Sequence, residues 1–242
     1  MSGTVFLAGA SGAIGRRLCR LLVEDGWTVV GTTRVPEKAP MLRELGVEPV
    51  VVDVYDEAAL TSAVAEARPQ AVVHQLTDLP AGLDAARMAE GRARNARVRE
   101  VGTRHLVAAV RAAGAMRMVA QSISFAYAPG TMPYTEEAPL NVDDPVLGET
   151  ARAVASLERQ VLGGPFTGIV LRYGKLYGPG TGFEAARSGG PLHVDAAADA
   201  ARRALTRGSA GIYNVAQDDG TVSIGRAVRE LGFRPGFRFD AR

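Results

Sequence analysis

The stretch Thr4-Val5-Phe6-Leu7-Ala8-Gly9-Ala10-Ser11-Gly12-Ala13-Ile14-Gly15-Arg16-Arg17-Leu18 decides the fold. Thr4–Ala8 is a compact apolar run, the pattern of a buried strand. It stops at a glycine cluster. Ile14, Leu18, Leu21 and Leu22 then recur at helical spacing, so a helix opens directly after the glycines. Strand, glycine loop and helix in that order form a cradle for a dinucleotide. Gly9, Gly12 and Gly15 allow a tight turn, a close backbone approach to a pyrophosphate and close helix packing. Ser11, Ala13 and Ile14 complete the loop. Free amides and the helix dipole at its N-terminus hold the phosphate charge.

Outward from this loop, strand and helix patterns alternate. Gly26 closes the first helix, and Thr28–Thr32 is a second strand. Pro36–Leu45 is a helix with Pro near its start and Gly46 just past its end. Pro49–Val52 is a third strand, ending at Asp53. Asp56 caps a helix running to about Arg68. Ala71–Gln75 is a fourth strand, and a long Arg-rich helical stretch covers about Ala85–Ala113. Met116–Gln121 is a fifth strand, Ala151–Leu162 a helix and Gly168–Arg172 a sixth strand. Asp195–Arg207 is a helix, Ile212–Val215 a seventh strand and Arg226–Leu231 a last short helix. This alternation implies an α/β fold: a Rossmann-type, doubly wound, mainly parallel sheet of about seven strands with helices on both faces. Residues 1–172 are expected to form the dinucleotide-binding domain, with loop 128–149 on the substrate side. Residues 173–242 are expected to form a reduced C-terminal substrate lobe, partly interleaved with that core.

Composition sets the outer limits. The 242 residues suit one domain, and 47% hydrophobic with 22% charged residues excludes a disordered chain. No apolar run approaches the ~20 residues of a membrane span. The opening MSGTVFLAGASG has no charged n-region, so a secretory leader is not expected and a cytoplasmic location is. Cys19 is alone, so neither a disulfide nor a cysteine-built zinc cage is expected. His74 has no ligand partner at useful spacing, and no metal is expected. A net charge of +2 is too small to argue for nucleic acid. The 28 basic residues include only two lysines, Lys38 and Lys175. The arginines between Arg87 and Arg111 read as a solvated helix face, interspersed with Glu90 and Glu100. Val98, Val101, Leu106 and Val110 on the same stretch serve either the sheet or a homodimer interface.

The end of the second strand selects the cofactor. Val29-Val30-Gly31-Thr32-Thr33-Arg34 carries no acid for a ribose 2′-hydroxyl. The Arg34 guanidinium suits a 2′-phosphate, with Arg16, Arg17 and Lys38 nearby, so NADP(H) is expected over NAD(H).

The GxxGxxG spacing of Gly9, Gly12 and Gly15 resembles the extended short-chain dehydrogenase/reductase family, the NAD-dependent epimerase/dehydratase group. Further segments are similar to that family. Val51-Val52-Asp53-Val54 resembles its adenine-contacting acid after the third strand. Val72–Thr77 resembles its fourth strand, which implies that Leu76 and Thr77 adjoin the cofactor. Gly102–Val107 resembles the end of an Asn-Val-x-Gly-Thr run in which Arg99 stands at the asparagine position. Leu171–Gly180 resembles the segment after the sixth strand and places Tyr173 at the cofactor. His193-Val194-Asp195 also matches.

The resemblance implies hydride chemistry by a Tyr-x-x-x-Lys pair assisted by a Ser or Thr. Here the pair is missing. With Glu158 as the anchor, Thr150 stands at the tyrosine position and Val154 at the lysine position. Tyr134 is followed four residues later by Ala138. Ser122 and Ser124 flank Ile123, which occupies the hydroxyl position. Ser122, Ser124 and Tyr127 are therefore the candidate catalytic hydroxyls, with Tyr134, Tyr173, Tyr177 and Lys175 behind them. Three readings stay open. The chain is an atypical NADP(H)-dependent oxidoreductase on a small carbonyl or alcohol, a non-catalytic NADP(H)-binding regulator or redox sensor, or the bearer of a vestigial cofactor site. The short stretch 179–192 and the ending Phe239-Asp240-Ala241-Arg242 argue against a large nucleotide-sugar substrate.

Overall fold

The computed structural model describes residues 3–239. Its elements run β1 (Thr4–Ala8), α1 (Ala13–Glu24), β2 (Thr28–Thr33), α2 (Ala39–Glu44), β3 (Glu48–Val51), α3 (Glu57–Ala67), β4 (Ala71–His74), α4 (Met88–Arg97), α5 (Thr103–Ala113), β5 (Arg117–Ile123), α6 (Gly148–Leu162), β6 (Thr167–Tyr173), β7 (Lys175–Tyr177), β8 (Pro191–His193), α7 (Val194–Ala204) and β9 (Gly211–Val215).

Seven strands form one parallel sheet in the order β3-β2-β1-β4-β5-β6-β9. The chain winds outward from β1 to β3, then returns to β4 and winds the other way. The order therefore reverses between β1 and β4, and a crevice opens there at the carboxyl ends of the strands. Side chains alternate across the pleat. Val5 and Leu7 of β1 join α1, α2 and α7 in one core layer, whereas Phe6 and Ala8 join α3, α5 and α6 in the other. Asp56 caps α3 by accepting from Ala59 N at 3.0 Å.

Local patterns place the seven main strands within a residue or two. The helical stretch expected over 85–113 is present: a tight turn at Ala85–Arg87 leads into α4, and a wide π-type turn at Val98–Gly102 joins α4 to α5 without a break. Leu106 and Val110 pack into the core and Val98 is buried, so these apolar residues serve the interior. The loop after β6 holds the two-stranded ribbon β7–β8. The last short helix expected at Arg226–Leu231 is present, wound wide over Ala227–Leu231. Residues 173–239 interleave with the rest: β9 extends the sheet beside β6, and α7 packs on α1. The ending expected at 240–242 lies outside the described residues. Burial pushes the Cys19 thiol up to about 12, so it packs as an inert apolar group. Among the described residues no helix is long and apolar enough to cross a membrane.

Candidate active site

The three loop glycines differ in what they do. Gly9 has φ +89°, and a Cβ there would stand 2.7 Å from the Gln75 carbonyl oxygen. A Cβ on Gly15 would stand 2.2 Å from the Gly9 oxygen. Both are demanded by packing. Gly12 has an ordinary φ of −77°, and a Cβ there would meet only the Gly9 oxygen, at 3.3 Å. Its bare Cα keeps the space above α1 open. The helix has no side-chain cap and no acid in its first turn. Arg16 N is the first amide to bond back, to Gly12 O. The amides of Ala13, Ile14 and Gly15 are the free donors of the helix start. The residues present therefore fit a pyrophosphate. Gly9 N donates to Thr32 Oγ1, and Ser11 Oγ donates to Thr33 Oγ1 at 3.2 Å, so the loop is tied to β2.

Arg34 lies at the end of β2 with its side chain about half exposed. It is not free. It forms a two-pronged pair with Asp78, at 2.8 and 3.1 Å. The hydrogen bond from Arg34 is the main reason the Asp78 carboxyl sits below the usual range. Asn95 Oδ1 accepts from Asp78 N and fixes this acid in place. Of the expected helpers, Arg17 is taken by Asp195 at 2.6 Å. Asp53 is exposed at the end of β3 and accepts from Tyr55 N, while the buried Val54 carbonyl accepts from His105.

The crevice between β1 and β4 is a cleft of about 630 Å³. Gly12, Ala13, Ile14, Gly15, Thr77 and Tyr173 line it. Gly9, Ser11, Arg34, Asp53, Val54 and Leu76 do not. Of the candidate hydroxyls only Ser122 lines it, and its Oγ donates inward to Glu158 at 2.8 Å. Glu158 is in turn held two-pronged by Arg172, at 2.8 and 2.7 Å. Ser124 and Tyr127, both expected at the site, fall outside the lining. Ser124 is buried behind β6, its amide on Tyr173 O. The Tyr127 hydroxyl donates to Asn214 Oδ1 at 2.6 Å and accepts from Arg172 at 2.8 Å. Its burial raises the phenol above its ordinary value.

The other tyrosines are no freer. Tyr134 holds Gly130, and Tyr177 accepts from Gln217 and Arg238. Tyr173 lines the cleft, but its hydroxyl donates to Ala197 O and accepts from Gln75 Nε2. Thr150 lines the cleft, whereas Val154 is fully buried and does not. Gln75 Oε1 is the one buried side-chain polar atom without a partner among the described residues, an acceptor that a bound donor group would satisfy.

The lining thus contains no Asp, Glu or His. Its charged groups are Arg92, Arg99, Lys175 and Arg187. Lys175 Nζ donates to Ser188 O at 2.9 Å. Sequence reasoning missed Arg99, whose signal was its place at the family's asparagine position. Beneath it, burial and the Arg99 charge hold His74 down to about 4, so the imidazole is neutral. Its Nδ1 accepts from Leu76 N, and its Nε2–H donates to Thr103 Oγ1. Two loops of the lining also touch each other: a Cβ on Gly182 would stand 3.0 Å from the Gly82 carbonyl.

The family described as NAD dependent epimerase/dehydratase matches residues 5–190. The 3-diazoavenalumate denitrifying reductase of a Streptomyces species is 44% identical over 239 residues, covering 89% of this chain and 76% of that protein. The dTDP-4-dehydrorhamnose reductase of Streptomyces griseus is 34% identical over 178 residues, covering 72% of this chain and 50% of that protein. The NAD complex of Thermus thermophilus UDP-glucose 4-epimerase superposes with a TM-score of 0.78 at 20% identity, covering 98% of this chain and 95% of that one. At that identity the likeness concerns the fold.

Proposed function

The chain belongs to the NAD dependent epimerase/dehydratase family, and from that premise we propose that it is an NADP(H)-dependent reductase acting on a diazo-bearing substrate. This takes the place of the small carbonyl or alcohol expected from the sequence. One observation carries the proposal: the cleft lining offers no carboxyl, imidazole or free phenol, and its one ammonium, Lys175, is engaged by the Ser188 carbonyl. Reduction of a carbonyl leaves an alkoxide that a positioned acid must protonate. The reduced cofactor, when bound, would supply one hydride equivalent; replacing a diazonium group by hydrogen would consume that hydride, release N2 and need no proton. The relative that is 44% identical bears a name of this chemistry.

The remaining work falls to the residues present. The amides of Ala13, Ile14 and Gly15 hold the pyrophosphate. Arg34, with the Ser11 and Thr33 hydroxyls tied beside it, takes the 2′-phosphate. Apolar lining from Leu79, Leu83, Phe125 and Leu176 excludes water from the reacting atoms. Ser122, Glu158 and Arg172 brace β5, α6 and β6 into a fixed floor.

The test is a fluorescence titration with NADPH and NADH, followed by addition of para-carboxybenzenediazonium to the NADPH-loaded protein. NADPH binding in preference to NADH, then protein-dependent cofactor oxidation matched by N2 release, is expected. NADPH binding without turnover would make the chain a regulator. Turnover of a carbonyl panel with the diazonium untouched would overturn the argument from proton supply.

A further inference from the structure

Met88, Arg92, Asn95 and Arg99 line the cleft along one helical wall. The arginines that point elsewhere from this wall have partners. Arg94 pairs with Glu90 and approaches Asp78, and Arg97 lies 4.4 Å over the Tyr55 ring. The two that face the cleft do not. The side chains of Arg92 and Arg99 form no ion pair and no hydrogen bond with any described residue.

Arg99 is the sharper case because it is only 8% exposed. The wide turn at Val98–Gly102 carries it inward, and such turns recur at functional sites. The acid whose charge it feels is Glu158. Both Glu158 oxygens are already bonded by Arg172, and Ser122 adds a third bond. The Arg172 charge therefore answers the Glu158 charge, and Arg99 is left over. Burial holds its guanidinium down to about 10, still fully protonated at neutral pH. A buried charge without a counter-charge is costly to the fold. It persists here on the wall of a cleft that contains no acid.

We infer that Arg99, supported by Arg92, is the subsite for a carboxylate on the substrate. A guanidinium offers a planar fork that matches a carboxylate two-pronged. The pyrophosphate has its own site on α1, so the cofactor does not use up this charge. The inference rests on the reductase reading for its substrate, but its test needs no turnover.

The probe is benzoate, which neither accepts hydride nor carries a diazo group. Its binding to the NADP+-loaded protein is measured by calorimetry, beside that of uncharged benzamide. The natural chain is expected to prefer benzoate. Arg99→Met should weaken benzoate about tenfold or more, the worth of a charge-assisted bond. Arg99→Lys should keep part of the affinity, and benzamide and NADPH should bind all forms alike. Arg92→Met, at a half-buried position, should weaken benzoate in the same direction and carries the test if Arg99→Met fails to fold. Equal binding of benzoate and benzamide by the natural chain overturns the inference. So does full benzoate binding by both methionine variants, or a parallel loss of NADPH affinity. Failure of diazonium turnover with benzoate bound as described would sink the reductase reading alone.

Discussion

At the end of β2 a guanidinium meets an acid 44 positions further along the chain. Arg34 is legible in sequence because strand ends choose between ribose and phosphate. Asp78 is not, since nothing local links the two. The pair makes opposite demands on a 2′-phosphate: Arg34 attracts it and Asp78 repels it. Asp78→Asn removes the repulsion and keeps the shape. It is expected to tighten NADPH by about fivefold, in line with ~1 kcal/mol for a partly exposed pair, and to leave NADH unchanged. Arg34→Ala should weaken NADPH and spare NADH. Fluorescence titration of both cofactors decides the matter; equal shifts for the two would mean that neither residue meets the phosphate. The same limit on local reading explains Ser124 and Tyr127. A hydroxyl near a strand end is visible in sequence, but the Asn214 and Arg172 groups that claim Tyr127 belong to strands far along the chain.

At the scale of elements, β1, its loop and α1 were readable because every cause is local: an apolar run, a glycine turn and helical spacing. The wide turn at Val98–Gly102 was not. A regular helical period hides one extra residue per turn, and it assigned Arg99 to a solvated face. The ribbon β7–β8 was hidden for another reason, as three-residue strands leave no alternation to see. Within the cradle the glycines divide their duties, and substitution should separate them. Gly12→Ala meets only one oxygen, at 3.3 Å. It should leave Tm nearly unchanged while lowering NADPH affinity more than ~tenfold, because the new methyl displaces charge-assisted phosphate contacts. Gly15→Ala would set its Cβ 2.2 Å from the Gly9 oxygen, so it should lower Tm itself. Thermal melts beside NADPH titrations distinguish the two. A matching loss of Tm in both variants would show that Gly12 also serves packing.

Across the whole molecule, a net charge of only +2 conceals an uneven distribution. Acids and bases nearly balance overall, yet the cleft holds four cations and no acid. Such a cleft focuses a positive field on its mouth, and salt screens that field. Raising ionic strength from about 0.05 M to 0.5 M should therefore weaken benzoate binding severalfold and leave uncharged benzamide nearly unaffected. A common salt response for both would place the field elsewhere. The sheet order that locates this cleft was legible in outline, since alternating strands and helices imply a crevice where the winding reverses. The approach of two loops at its rim was not. The loops carrying Gly82 and Gly182 run so close that a Cβ on Gly182 would stand 3.0 Å from the Gly82 carbonyl. A side chain at position 182 would force these loops apart. The shape of the rim therefore depends on two positions that contribute by the atoms they lack.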